Sequence, residues 1–466
     1  MSEEGRITGT LEKRSGQTNS TTGPRPTRLP LRRGSWWLQP SWPVALSVLP
    51  GVLIATSVSD ASFRIWWRTP KFVTGTMAVL LLTLLAAFVA GVLLASAGAS
   101  SETHKRHRGY VELSPGQQRL LLHAGRLLLV LTFAGYLAWL LIGVLRGLQL
   151  AQLFAVTRLE TGAIVEVKRL LTPVAGVTTQ TQFGPMAAAC LMLHQRATGK
   201  RHPVAITMLL LLATVRALVH AERLALLEVI TPMIVLAAAL APTRRTRPRP
   251  SSPRRSSGDW KWALAPLFAP LLLICVFAGF EYTRSWNDYY SRQGGSYQEF
   301  IVQRLGGYYA TAVNNSILLR DHMAPHLELP YYTVKFLWEF PGVSLLVDQP
   351  QLLGIEPRSG WKATLLLHAN PEFNSEGGML APVVDYGGFG AVVFWIVVGY
   401  GLGRCYQALR AGHPGALLLY SVLFVGTVEL ARYFYWGQGR AFPGILAAVL
   451  LAWALHNVRD RAEKQL

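Results

Sequence analysis

Long apolar runs recur along almost the whole chain, and they restrict its fold more than any other feature. A helix needs about 20 mostly apolar residues to cross a bilayer, and hydrocarbon tolerates only elements that satisfy their own backbone hydrogen bonds. Only 15% of the 466 residues are Asp, Glu, Lys or Arg, compared with about 25% in soluble domains. The runs therefore predict an all-α integral membrane protein with about ten transmembrane helices. We expect these helices at Pro43–Val58, Phe72–Ala97, Leu122–Arg146, Thr178–Gln195, Pro203–Val219, Leu224–Ala241, Trp262–Phe280, Gly388–Tyr406, Gly415–Leu430 and Phe442–Leu455.

Basic residues are concentrated between the apolar runs, which indicates membrane topology rather than nucleic-acid binding. The formal net charge is +20, and Lys and Arg accumulate in the cytoplasmic loops of membrane proteins. The segment TRRTRPRPSSPRR, residues 243–255, is strongly basic and Pro-rich, so we expect it to be cytoplasmic. An even number of spans then places both termini on the cytoplasmic side. We predict a multi-pass protein of the inner or plasma membrane. Its expected partner is the lipid bilayer, and no nucleic-acid partner is expected.

The same pattern divides the chain into five parts. A large loop that holds more acidic than basic residues is expected to be extracytoplasmic and mainly helical. A smaller outer segment, residues 147–177, has apolar residues at helical spacing between charges and is interpreted as a helix lying at the interface. The predicted parts are a disordered basic cytoplasmic arm at 1–42, transmembrane helices 1–7 over 43–280 with a cytoplasmic basic linker at 243–261, the large loop at 281–387, transmembrane helices 8–10 over 388–457, and a cytoplasmic tail at 458–466.

The junction of the fifth and sixth predicted spans is unusually rich in ionisable residues. Arg216, His220, Glu222 and Arg223 lie at a turn that needs only small or polar residues, and Glu228 follows within the next span. A charge inside the bilayer is costly, so such a residue faces the bundle or a cavity and has a partner. Two interpretations remain open: a functional site, and a structural Glu–Arg pair that orients two helices.

A second candidate region begins with NPEFNSEGG, residues 370–378, and ends at the predicted start of span eight. Asn370, Glu372 and Asn374 are candidates for substrate binding. Asp385 has two interpretations. A carboxylate at the membrane surface binds a sugar hydroxyl or acts as a base, whereas Asp before an apolar helix is also a common N-cap.

Two further regions combine aromatic side chains with arginines or amides. One segment of the large loop contains Arg304, Tyr308, Tyr309, Asn314 and Asn315. These are candidates for sugar binding, because aromatic rings stack on sugar faces and amides bind hydroxyls. The alternative is an interfacial aromatic belt.

The second of these regions connects the last two spans and contains Arg432 and Arg440. Two arginines at the outer face suit a pyrophosphate, because guanidinium groups bind phosphates in a bidentate manner. Arginines that extend from an aromatic belt toward the headgroups are the alternative.

Taken in order along the chain, these segments resemble the O-antigen polymerase (Wzy-type) family, also called oligosaccharide repeat-unit polymerases. The resemblance covers about residues 130 to 455, with the large outer loop in the family's place. It implies a polyprenyl-pyrophosphate-linked oligosaccharide as the donor, and glycosyl transfer on the extracytoplasmic face without a metal or another cofactor. The segments that carry it are GVTTQTQFG (176–184), HAERLALLE (220–228), RLGGYYATAVNN (304–315), NPEFNSEGG (370–378) and VDYGGFG (384–390).

The implied reaction gives roles to the candidate residues. Arg216 and Arg223 would stabilise the charge of the leaving pyrophosphate, and Glu222 and Asp385 would accept the proton of the acceptor hydroxyl. The candidates for binding substrate are His220, Arg304, Tyr308, Tyr309, Asn314, Asn315, Asn370, Glu372, Asn374, Arg432 and Arg440.

Two other functions stay open at this point. A flippase for lipid-linked units should place charges near the midplane and show repeat symmetry, whereas most candidate groups here lie at the outer face. A ligase-type glycosyltransferase would use the same donor with another acceptor. A polymerase would have a flippase and a chain-length regulator as further partners.

Overall fold

Helices dominate the part of the chain that the structure describes. The structure is a computed structural model that describes residues 26–32, 34–98, 109–158, 163–220, 224–241, 259–287, 289–322, 329–340, 342–343 and 358–463. The helices are α1 (Ser41–Ser57), α2 (Asp60–Trp67), α3 (Gly75–Ala97), α4 (Pro115–Leu145), α5 (Leu150–Thr157), α6 (Ala163–Leu170), α7 (Gly184–Thr198), α8 (Pro203–His220), α9 (Leu224–Ala239), α10 (Asp259–Ala263), α11 (Ala265–Glu281), α12 (Tyr297–His322), α13 (Lys335–Trp338), α14 (Arg358–His368), α15 (Ala381–Arg410), α16 (Pro414–Glu429) and α17 (Phe442–Glu463).

Every apolar segment predicted from the sequence contains a helix. Among the described residues, α3, α4 and α15 are long and apolar enough to cross a membrane, and α1 with α2 would form a fourth crossing that is bent by 111°. Four other apolar helices are shorter than this. A straight crossing needs about 20 residues, because a helix rises about 1.5 Å per residue and the hydrocarbon is about 30 Å thick. The structure therefore supports an all-α membrane protein, while the count of ten spans stays a prediction.

Local sequence signals explain where the long helices begin. Ser114 caps α4: its hydroxyl accepts from the Gln117 amide, the Gln117 side chain accepts from the Ser114 amide, and Pro115 takes the first helical position. This is a capping box. The Thr74 hydroxyl caps α3 by accepting from the Met77 amide, and the Ser59 hydroxyl caps α2 by accepting from the Ser62 amide. The Ser59 cap lies at the bend between α1 and α2.

Close packing of α3 against α15 depends on glycine. A Cβ at Gly91 would lie 2.1 Å from the Ile396 carbonyl oxygen, and a Cβ at Gly399 would lie 2.1 Å from the Phe88 carbonyl oxygen. Only glycine permits this approach at both positions. Small residues at helix contacts are typical of membrane bundles, where close van der Waals packing replaces the hydrophobic driving force.

The buried apolar residues form two main halves. One half joins α1, α3, α12 and α15, and the other joins α4, α7, α9, α16 and α17. The connection between α16 and α17, residues 430–441, lies where the halves meet: Phe434 packs in the first half, and Tyr435 packs beside Leu224 and Val425. This connection is therefore placed to join groups from both halves.

The predicted disordered arm differs from the structure over its last part. Thr27–Pro30 forms β1, which pairs antiparallel with β2 (Tyr110–Leu113). Leu29 is 1% exposed, and the Ser35 hydroxyl donates to the Ala238 carbonyl oxygen. These residues are ordered because they cover the ends of α4 and α9. Residues 1–25 of the arm lie outside the described part.

Other predicted boundaries also shift. The outer segment 147–177 contains two helices, α5 and α6, instead of one. The eighth span was expected to begin at Gly388, but α15 begins at Ala381 and is interrupted at Gly387, where φ is 70°. The predicted tail is helical as far as Glu463, and most of the linker 243–261 lies outside the described residues.

Candidate functional site

Glu228 is the centre of a buried polar cluster at one end of the bundle. Its side chain is 2% exposed and forms an ion pair with Arg440. Arg440 donates to both carboxylate oxygens, from Nε at 2.9 Å and from Nη2 at 3.0 Å, and Tyr435 donates to Oε1 at 2.9 Å. The partner predicted for Glu228 therefore comes from the connection between α16 and α17. Burial and this carboxylate raise the pKa of Tyr435, so its hydroxyl remains a donor.

Gln182 links Glu228 to Arg216. With the amide nitrogen turned toward Glu228, it donates to Oε2 at 3.2 Å, and the amide oxygen accepts from Nη1 and Nη2 of Arg216 at 2.7 and 3.0 Å. Gln182 lies on a 3-10 turn, Thr178–Phe183, that packs against α4. A Cβ at Gly135 would lie 2.9 Å from the Thr181 nitrogen, so a glycine there allows this turn to reach the cluster.

Arg216 differs from the other arginines of the site in its partners. Besides Gln182, its guanidinium donates to the Thr181 hydroxyl at 2.7 Å, and it lies within hydrogen-bonding reach of Tyr136. These partners, among the described residues, are neutral oxygens. A half-buried guanidinium held by neutral groups keeps its full positive charge available to an anion.

Arg432 and Arg440 both lie near Tyr433, because each favours the ionised form of its phenol. Its Nη1 donates to Glu429 at 3.1 Å, and its guanidinium lies 5.5 Å from the Tyr433 ring centre and 5.7 Å from that of Tyr308. Burial disfavours the Arg432 cation, but Glu429 and the tyrosines keep its pKa above the usual value. Its buried Nε has no hydrogen-bond partner among the described groups.

Arg304 forms a separate group with two carboxylates. Its Nε donates to Glu281 at 3.2 Å and its Nη1 donates to Glu372 at 2.5 Å. Tyr290 also donates to Glu372, at 3.0 Å. Burial disfavours the Arg304 cation, yet Tyr308 and the two carboxylates keep its pKa above the usual value. Two carboxylates thus neutralise Arg304, so its guanidinium is less available to a phosphate than that of Arg216.

A covering segment, residues 330–340, contacts the Arg440-bearing turn. The Phe336 ring stacks on Phe442 at 4.8 Å. Asp385 anchors the segment by accepting from the backbone amides of residues 331–333 and from the Thr333 hydroxyl. Lys335 adds an ion pair with Glu376 at 2.6 Å. Asp385, which had been interpreted as a base or an N-cap, has both oxygens engaged in holding this segment.

The structure gives the two predicted sugar-binding amides an internal role. Asn314 is fully buried, accepts from the Phe72 and Val73 amides, and donates to the Pro70 carbonyl oxygen. Asn315 donates to the carbonyl oxygens of Phe373 and Ser375. These side chains fasten α12 to two neighbouring turns.

The remaining predicted residues fall into three groups. Asn370 bonds the Trp67 carbonyl oxygen and the Glu372 amide, and the side chain of Asn374 is exposed. Tyr308, 5% exposed, donates to Glu281, whereas half-buried Tyr309 lies near Arg432. The side chain of His220 and residues 221–223, with Glu222 and Arg223, lie outside the described part.

Some groups of the site were not singled out from the sequence. Gln182 and Tyr435 carry only a weak signal, namely a polar side chain at the end of an apolar run. Glu281 carries a stronger sequence signal, because it ends the apolar run of α11. In the structure its side chain is 1% exposed. A buried carboxylate at that position requires a cationic partner, which is Arg304.

The arrangement is suited to binding a polyanion. Among the described residues, Arg440 contacts the carboxylate of Glu228, Arg432 contacts that of Glu429, and Arg216 contacts neutral groups. These guanidinium groups lie in a half-buried setting, where electrostatic attraction is stronger than in water. Arginine, with its planar donor fork, favours a phosphate or pyrophosphate over a simple carboxylate.

In comparisons with known proteins, no family model, no curated protein and no solved structure matches the chain.

Proposed function

We propose that the chain is a membrane glycosyltransferase that polymerises polyprenyl-pyrophosphate-linked oligosaccharide repeat units. The observation that carries the proposal is the meeting of Arg216, Arg440 and Arg432 at one end of the bundle. The segments that supply the arginines are far apart in the chain. Gln182 and Glu228, which contact two of them, lie in segments that carry the sequence resemblance. A lipid pyrophosphate is the anion that a half-buried triple-arginine site in a membrane protein meets at the bilayer surface.

The topology is part of this proposal. Ten crossings with cytoplasmic termini put the basic linker and the β1–β2 sheet on the cytoplasmic side. The same arrangement puts the arginine site and the covering segment on the extracytoplasmic side of the cell membrane. The short helices near the site fit a locally thinned bilayer, because a short span is accommodated by thinning.

In the proposed reaction, an acceptor hydroxyl attacks the anomeric carbon of the growing chain. The bond from that carbon to pyrophosphate breaks, and the polyprenyl pyrophosphate leaves with the electron pair. Arg216 and Arg440 stabilise its charge, since preorganised donors are most effective where charge develops. Glu222 accepts the proton of the hydroxyl. Asp385 acts indirectly, because it holds the covering segment over the turn that carries Arg440.

Cells that lack the chain test the proposal. Without it, we expect single repeat units to accumulate on the lipid carrier at the extracytoplasmic face, and wild-type complementation to restore long polymer. The measurement is the size distribution of surface polysaccharide, together with the sidedness of the lipid-linked units. Accumulation on the cytoplasmic face would identify a flippase instead, and unchanged polymer would contradict the proposal.

A further inference from the structure

A mixed polar and aromatic cavity lies beside α2, and Arg304 is one of its lining residues. It has a volume of about 230 Å³ and is lined by Trp66, Trp286, Tyr290, Glu299, Gln303 and Asn370, among others. Clefts for drug-sized ligands are usually about 300–1,000 Å³. This cavity therefore has room for one sugar residue rather than a whole repeat unit.

One wall of the cavity is rigid. Trp67 is 2% exposed, and its indole nitrogen donates to the Gln303 carbonyl oxygen at 2.9 Å. A Cβ at Gly307 would lie 2.6 Å from that nitrogen, so the indole packs directly on the backbone of α12. The wall is thus fixed before any ligand arrives, which reduces the entropic cost of binding.

The ring beside this wall is accessible. Trp66 meets Trp67 edge to face at 6.0 Å and is 44% exposed. A membrane-belt tryptophan is surrounded by lipid and headgroups, but Trp66 borders a cavity that also contains a carboxylate and two amides. An exposed indole face above polar groups is suited to the C–H face of a sugar ring.

The polar lining offers both donors and acceptors. The Gln303 amide donates to Glu299 Oε1 at 3.2 Å and combines a donor with an acceptor, whereas the Asn370 amide is bonded to the backbone of Trp67 and Glu372. An amide such as that of Gln303 matches sugar hydroxyls, which both donate and accept. Arg304 is already bonded to Glu281 and Glu372, and Arg68, which also lines the cavity, bonds Tyr289.

The cavity and the arginine site are neighbours. Tyr308 lies near both: the Arg304 guanidinium lies 5.6 Å from its ring centre, and that of Arg432 lies 5.7 Å from it. One bound glycan could therefore place a sugar in the cavity while its pyrophosphate contacts the arginines.

We infer that this cavity is a saccharide subsite in which Trp66 stacks on one sugar residue of the glycan. The identity of the glycan rests on the proposed function, whereas binding of a sugar at Trp66 does not. The subsite takes over the sugar-binding role that the sequence had suggested for Asn314 and Asn315.

Binding to the purified full-length chain in detergent tests the inference. The first probe is the oligosaccharide released by mild acid from the cells' own lipid-linked repeat units, and the second is inorganic pyrophosphate. Loss of one aromatic stack is expected to weaken oligosaccharide binding about tenfold in Trp66→Ala, by isothermal titration calorimetry. Trp66→Phe should retain most of the affinity, and pyrophosphate binding should not change in either variant.

Trp453→Ala is the matched control, because Trp453 is 67% exposed on α17, outside the cavity. Equal oligosaccharide affinity in wild type and Trp66→Ala, at equal thermal stability, would overturn the subsite. Loss of pyrophosphate binding in Trp66→Ala would also overturn it, because the cavity would then bind the anion.

The two proposals fail separately in these experiments. If Trp66→Ala loses the sugar but the deletion strain still makes long polymer, the subsite stands and the polymerase assignment fails. If the deletion abolishes polymer and Trp66→Ala binds the sugar normally, the assignment stands and the subsite fails.

Discussion

Replacement of Arg216 by Ala should reduce the initial rate of polymerisation by about 100- to 1,000-fold, the usual loss for one preorganised donor. The reason is that Arg216 is held by neutral oxygens of Thr181 and Gln182 and keeps its charge available to the pyrophosphate. The rate is measured with purified protein and lipid-linked repeat units.

The stability of the Arg216→Ala variant should stay close to wild type. Removal of Arg216 leaves no carboxylate unpaired among its described partners, so the thermal midpoint in detergent should shift little. Arg216→Lys is the matched control: it retains the charge but loses the bidentate fork, and an intermediate rate is expected. Wild-type rates in Arg216→Ala would remove this arginine from the site.

Replacement of Glu228 by Ala should have the largest effect on stability. The change leaves the Arg440 guanidinium without its buried carboxylate, and loss of one partner of a buried ion pair costs about 3–5 kcal/mol. Because Arg440 is 24% exposed, we expect the lower end, about 3 kcal/mol. The measurement is the thermal midpoint of the purified chain in detergent.

Two variants separate the charge pair from simple loss of packing. Glu228→Gln keeps an acceptor for Tyr435 and should lose less stability than Glu228→Ala. The double variant Glu228→Ala/Arg440→Ala should recover part of the loss, because it leaves no unpaired charge, and a double-mutant cycle isolates this coupling. Strict additivity of the two single changes would show that the pair seen at 2.9 Å contributes no coupling energy.

The sequence was sufficient to predict helices in the apolar runs, because each run is apolar and bounded by polar residues. It also indicated that Glu228 has a partner, since a carboxylate in an apolar run cannot remain alone. It could not identify that partner. Arg440 lies 212 residues further along the chain, and no local pattern encodes such a distance.

At Asn314 and Asn315 the sequence suggested a binding role that the structure assigns to internal contacts. Two adjacent amides beside aromatic residues resemble a sugar-binding surface in the sequence, but both are buried and bonded to backbone groups of other segments. An amide that satisfies a buried backbone group and an amide that binds a ligand have the same local sequence pattern. Only the position of residues 70–73 and 373–375 distinguishes them.

Trp66 shows why the sugar cavity was not predicted. Its neighbours in the cavity come from α2, from residues 286–303 and from the turn at Asn370, which are separated by more than two hundred residues of sequence. The bend of 111° between α1 and α2 brings Trp66 to that cavity. In the sequence, the same tryptophan is indistinguishable from a membrane-interface residue.

The most direct test of the polymerase proposal is reconstitution of the purified chain in lipid vesicles with radiolabelled, lipid-linked repeat units and EDTA. The proposal predicts a ladder of lipid-linked products that lengthen by one repeat unit at a time, with one polyprenyl pyrophosphate released for each bond formed. If only single units remain, even when both membrane faces have access to substrate and the protein binds pyrophosphate, the chain is not the polymerase.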